Sequence, residues 1–149
     1  MATTPQEALV AFLSADTAIA ALIGTRLYPE TAPEGEPYPR LTYQLIDWPT
    51  LNTLEGPTGY GRPRLQIDCW AKGPTSYADA WALANAVRSS KGGNGSGPAL
   101  DGFHGLLSGM DIRRIRLVDM ADQWDPPVFG EETPVRRVRL DFVMELVES

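Results

Sequence analysis

The chain has 149 residues, 43% of them apolar, with 13 basic against 19 acidic side chains and a net charge of -6. That length predicts one domain, 1–149, able to bury about two-thirds of its unfolded surface without staples. The acidic balance disfavours gripping nucleic acid with the surface as a whole, and a single cysteine excludes a disulfide framework or a Cys-x-x-Cys site.

Thr4-Pro5-Gln6-Glu7 puts a hydroxyl at the N-cap, proline at the first helical position and glutamate three residues after the cap. Leu9, Phe12 and Leu13 then share a face, a second capped turn follows at Asp16, and Gly24 closes the pattern. A broken helix from Thr4 to Ile23 is expected. Four prolines and three glutamates between Pro29 and Pro39 predict an exposed connection with no ladder. Strand alternation resumes in Leu41, Tyr43 and Leu45 and stops at Trp48-Pro49.

A Gly/Pro-containing excursion, 48–61, precedes Arg64-Leu65-Gln66-Ile67-Asp68-Cys69-Trp70-Ala71, whose alternation writes a strand with one apolar face. The two strands flanking the excursion are expected to pair antiparallel. A helix is predicted over Tyr77 to Lys91, where Ala80, Leu83, Ala84 and Val87 make a narrow apolar stripe. The glycine-rich 92–98 segment follows a helix instead of opening one and lacks a Gly-Lys-Ser/Thr ending, so a flexible linker is expected rather than a phosphate loop. Arg113 to Val118 and Val135 to Val147 alternate as strands, with an acidic, proline-rich loop, 119–134, between them. The expected fold is α+β: an antiparallel sheet of about four to five strands with two main helices packed on one face. Flexible loops are expected near 29–39, 48–61, 92–98 and 119–134. No internal repeat is visible.

Residues capable of catalysis are sparse. His104 is the only histidine and lies in a turn-like Gly102-Phe103-His104-Gly105, which rules out a His-based metal cage within one chain. Cys69 falls on the apolar side of its strand, where a thiol behaves as a small hydrophobe. Glu30, Glu34 and Glu36 sit in one proline-rich stretch and Asp119, Asp122 and Asp125 in another, and Asp119-x-x-Asp122-x-x-Asp125 lacks the spacing of a calcium loop. No cofactor, metal or enzymatic activity is expected, and no stretch approaches the ~18 continuous apolar residues of a membrane span. A soluble protein made in a reducing cytoplasm is expected.

The arginines are more informative. Six of eleven fall in the last two strands, and if these pair, Arg114, Arg116, Arg137 and Arg139 share the polar face. Three readings stay open for them: a solvated face balanced by Asp141, Glu145 or the acidic loops, carboxylates of a neighbouring subunit, or nucleic acid. The third is disfavoured by the acidic total and by the lack of aromatic-basic interleaving along these strands. Trp48, Trp70 and Trp124 are candidate interface anchors, Trp70 because it falls on a polar strand face.

Several phrases, in order along nearly the whole chain, resemble the tail terminator, or tail completion, proteins of long-tailed bacteriophages. They are Ala21-Leu22-Ile23-Gly24, Arg26-Leu27-Tyr28-Pro29, Pro37-Tyr38-Pro39-Arg40-Leu41-Thr42-Tyr43-Gln44, the 64–71 strand, Ala80 to Arg88, and Arg136-Arg137-Val138-Arg139-Leu140-Asp141-Phe142. The 92–98 segment looks like an insertion relative to that family. The resemblance implies a virion structural protein: a ring, typically hexameric, on the head-proximal end of the tail tube. Such a ring stops tube polymerisation and joins the tail to the head. Its implied partners are copies of itself, the tail tube protein and a head-completion or connector protein, with DNA passing through an acidic lumen without specific binding. The alternatives are another neck component, or a small nucleic-acid-binding protein using the Arg114, Arg116, Arg137 and Arg139 face.

Overall fold

The computed structural model describes residues 4–30, 37–54, 56–92, 98–107, 110–125 and 135–147. The first helix, α1 (Pro5–Ser14), starts on the expected capping box: the Glu7 amide donates to Thr4 Oγ1 at 3.2 Å and the Thr4 amide to Glu7 Oε2 at 3.3 Å. A second helix, α2 (Thr17–Ile23), is capped by Asp16, whose Oδ1 accepts the Ala18 and Ile19 amides at 2.8 and 3.1 Å. The two helices meet at 87°, so the broken helix is two short ones. Burial pushes the Asp16 carboxyl up, but the Ser90 hydroxyl and the amides it accepts outweigh this and hold it below its ordinary value of 3.8. Gly24, at φ 61, ends α2 in a conformation that L side chains rarely adopt.

A three-residue strand, β1 (Leu27–Pro29), then lies parallel to β2 (Arg40–Asp47). Next come β3 (Thr50–Thr53), β4 (Gly56–Gly61), β5 (Arg64–Lys72), α3 (Ser76–Arg88), β6 (Gly105–Leu107), β7 (Met110–Asp125) and β8 (Val135–Val147). These eight strands of the described residues belong to one sheet, in the lateral sequence β1, β2, β5, β8, β7, β6, with β4 and β3 continuing beside the C-terminal end of β8.

The 48–61 excursion is where sequence and structure part. Tyr60 pairs Val147, Gly61 pairs Leu146 and Arg64 pairs Val143, so β4 and β5 run along β8 in a single register. The Met144 amide bridges the gap by donating to the Pro63 carbonyl at 2.9 Å. On the neighbouring line the Arg62 amide reaches the Pro49 carbonyl at 3.0 Å between β2 and β3. Prolines 49 and 63 therefore interrupt two ladders without ending them. β2–β3 and β4–β5 are two halves of one long antiparallel hairpin, and its distal part projects past β8.

The expectation of four to five antiparallel strands and two helices is thus incorrect: among the described residues the sheet has eight strands, is mixed through β1, and carries three short helices. β1 is too short for its period to be legible. β7 continues through 119–125, expected to be loop, because its backbone pairs with β8 whatever its acidic side chains prefer. Ladder shifts between Ile112 and Arg114 and between Leu117 and Asp119 also break its alternation. The flexibility expected for 31–36, 93–97 and 126–134 lies outside the described residues.

The three helices pack on one face of the sheet. Leu9, Phe12, Leu13, Ile19, Ile23, Leu83 and Val87 meet Leu41, Leu65, Ile67, Cys69, Leu140, Phe142 and Met144 in one buried cluster. Ala80 and Ala84, both fully buried, let α3 sit close to β5 and β8. Phe12 meets the Phe103 ring edge-on, with centroids 5.2 Å apart. Among the described residues no single helix is long and apolar enough to cross a membrane.

Candidate subunit interface

The sheet face turned away from the helices is a grid written by strand register. One row across β2, β5, β8 and β7 reads Arg40, Trp70, Arg137, Gln123. The next reads Thr42, Asp68, Arg139, Ala121, and the third Gln44, Gln66, Asp141, Asp119. Opposed residues in antiparallel strands share a face, which is why side chains so distant in sequence meet here.

Trp70 occupies the middle of the first row, half-buried. Its Nε1 donates to Thr42 Oγ1 at 2.9 Å, and the Arg137 guanidinium lies 5.0 Å from its ring centroid. Arg137 Nη2 also donates to Gln123 Oε1. Beside them, the Tyr38 ring carries the Arg40 guanidinium at 4.0 Å and the Lys72 ammonium at 6.0 Å. Cations and aromatics therefore interleave across strands, although they do not along any one strand. The Arg137 Nε is buried and meets no acceptor among the described residues.

Asp68 lies in the second row, 8% exposed. Burial pushes its carboxyl above the ordinary value of 3.8, while Gln66 Nε2, 3.1 and 3.3 Å from its two oxygens, and the charges of Arg137 and Arg139 pull the other way. An acid whose folded pKa is raised contributes stability below its unfolded pKa and loses that contribution as pH rises through the folded value. Asp68→Asn is accordingly expected to match the parent below pH 3.8 and to become the more stable of the two as pH climbs toward neutrality. Urea denaturation at a series of pH values measures it; a gap that shrinks with rising pH would contradict the assignment.

Of the four arginines expected to cluster, Arg139 is already engaged, with Asp119 at 3.1 Å and Asp141 at 3.5 Å. Such half-exposed pairs contribute about 0–1 kcal/mol each and serve mainly to orient the guanidinium. Arg116 and Arg114 are exposed on the same face, but opposite Val143 and Glu145, about 13 and 20 Å along β8 from Arg139. The face thus holds two arginine groups instead of one. Trp48 is half-buried against the core, and its ring lies over Gly61, where a Cβ would come within 2.5 Å of Nε1. It packs the hairpin at its proline interruption. Trp124 has its backbone opposite Arg136, and its side chain is outside the described residues.

Sequence reasoning missed Tyr38, Arg40 and Lys72 as members of this face, though Arg40 and Lys72 fall on the polar parity of their strands. It also missed Trp81, whose Nε1 donates to Asp122 Oδ2 at 3.2 Å and ties α3 to β7. Cys69 is fully buried, and burial, with Asp68 adding, raises its thiol well above the ordinary range. His104 is exposed. Among the described residues no group of three or more His, Cys, Asp or Glu side chains is placed to hold a metal.

A family model described as tail completion protein gp17 matches residues 7–142. Among solved structures, a chain of the virion of a native gene transfer agent (GTA) particle is similar at 22% identity, with a TM-score of 0.66, over 97% of this chain and 95% of that one. At that identity the likeness is one of fold. No curated protein matches the chain.

Proposed function

The chain belongs to the tail completion protein gp17 family and is a phage tail structural protein, and from that premise we propose that copies of it form a ring, six-fold as in the proteins it resembles, on the head-proximal end of the tail tube. The ring stops tube polymerisation and presents the surface that joins the tail to the head. The family match across 7–142 carries this reading. The protein acts without enzymatic chemistry, in the neck of the virion, with the tail tube protein on one side and a head-completion or connector protein on the other.

The fold supplies what a ring subunit needs. A closed ring requires two unlike lateral patches on each copy, and the sheet ends in unlike edges, a parallel β1 and an antiparallel β6. The polar face, with Trp70, Arg137 and Arg139 at its middle and Arg114 and Arg116 at its end, is the candidate contact surface, together with Trp48 and Trp124. Guanidinium groups suit directional pairing with carboxylates of a neighbour, and an acidic chain lets DNA pass through the lumen without holding it.

The interleaving of Arg40, Lys72 and Arg137 with Tyr38 and Trp70 is the one observation that favours a nucleic-acid reading. Asp68, Asp119 and Asp141 stand in the same grid and oppose phosphate there.

Assembly of tails without this protein tests the function. The expected result is tubes of uncontrolled length that fail to join heads, with normal length restored on adding the purified protein. Tubes of normal length in its absence would overturn the capping role. Salt-dependent DNA binding lost on changing Arg114, Arg116, Arg137 and Arg139 would favour the nucleic-acid reading instead.

A further inference from the structure

The molecule carries an unfilled apolar groove and, far from it, a bare leucine. The groove, about 370 Å³, lies where α1 and α2 meet β1; Leu13, Ile19 and Ile23 form its floor, with Val10, Ala20 and Leu27 around them. Its size falls within the range of pockets that accept sizeable apolar groups. The two helices beside it, α1 and α2, meet at 87°.

The leucine is Leu54, at the turn joining β3 to β4. It is 108% exposed, the most exposed large apolar residue described. Polar residues dominate hairpin turns, so a bare leucine at one stands out against ordinary turn chemistry. Among the described residues, Tyr60 and Gly61 of this arm pair with β8, Thr50, Asn52 and Thr53 pair with Gly61, Pro57 and Gly56, and the arm continues beyond Val147, the last described residue of β8.

Topology decides whose groove this leucine can reach. Leu27, in the groove wall, pairs with Leu41 near the start of β2, and thirteen residues separate Leu41 from Leu54 along the same hairpin. At the strand rise that is about 40 Å, so a copy cannot seat its own arm in its own groove. Knob and hole sit at opposite ends of one element, and a contact between unlike patches on successive copies generates a ring when its rotation closes. Arg26 lies beside the groove at Gly24, its guanidinium donating to the Pro39 and Leu22 carbonyls at 2.9 and 3.3 Å, and an acidic residue, Glu55, follows Leu54 in sequence.

We propose that the β3–β4 arm of one copy seats Leu54 in the α1/α2/β1 groove of the next copy. This rests on the ring reading and specifies its subunit contact. Two full-length variants, Leu54→Cys and Ala20→Cys, test it. Cys69 is buried and silent in each. Mixed under a mild oxidant, the two should give a disulfide-linked pair that neither gives alone. Leu54→Asp, at an exposed turn, should leave the melting temperature unchanged and weaken self-association at least about tenfold, the fold-change equivalent of losing one buried leucine, whereas Leu54→Met should retain it. Rings that form without the mixed disulfide, or a Leu54→Asp protein that assembles like the parent, would overturn the arm contact and leave the ring reading standing. A protein that stays monomeric at high concentration and is absent from tail ends would overturn both.

Discussion

Phe142→Ala is expected to lower the free energy of unfolding by about 3–5 kcal/mol. Phe142 is 1% exposed on β8, the strand flanked by β7 on one side and by β5 and β4 on the other. Its direct neighbours on the core face are Leu65 of β5 and Leu117 of β7, so truncating the ring opens a void that three strands line. Domains of this size are stable by about 5–15 kcal/mol, and the loss is therefore a large share of the total. Urea denaturation at neutral pH measures it as a lower midpoint with an unchanged slope. A loss below about 1 kcal/mol would mean that the void collapses freely and that β8 is not the packing centre.

Trp70→Ala carries the second large effect, on stability and on assembly together. The substitution removes the ring under Arg137 and the donor to the buried Thr42 hydroxyl. A cost of about 2–4 kcal/mol follows from the lost packing and cation-aromatic contact. Trp70→Phe keeps an aromatic surface for Arg137 and loses only the Nε1 donor, so about 1–2 kcal/mol is expected. If this face is a subunit contact, Trp70→Ala also abolishes ring formation at temperatures well below its own melting point. Sedimentation beside the denaturation curves separates the two effects: rings of normal stability from folded Trp70→Ala protein would remove Trp70 from the interface.

Elements whose signals are local in sequence were legible. The Thr4 to Glu7 capping box, the Asp16 cap, the apolar stripe of α3 and the alternation of β5 and β8 all appear where the residues place them, within a few positions. Each rests on interactions between residues a few positions apart, and such interactions survive in any context that buries the apolar side. Segments held by a distant partner were not legible. Gly56–Gly61 has three glycines and a proline and no alternation, yet it is strand because Thr50–Thr53 and the end of β8 supply its hydrogen bonds. Residues 119–125 are strand for the same reason. The candidate interface followed this division. The parity of Trp70, Arg114, Arg116, Arg137 and Arg139 was readable, whereas their separation into two groups depended on ladder shifts and register.

The sequence by itself determined the helix starts, the apolar faces, the burial of Cys69, the poverty of catalytic residues and, through ordered phrases along the chain, the family. Tertiary structure alone decided that the 48–61 stretch contains a projecting arm, that Arg137 lies over Trp70 while Arg139 pairs with Asp119 and Asp141, and that an apolar groove and the exposed Leu54 stand at opposite ends of one hairpin. The reason is physical. Caps and periodicities are set by neighbours three or four residues away, but strand pairing joins residues tens of positions apart, and its register is chosen by the packing of the whole sheet.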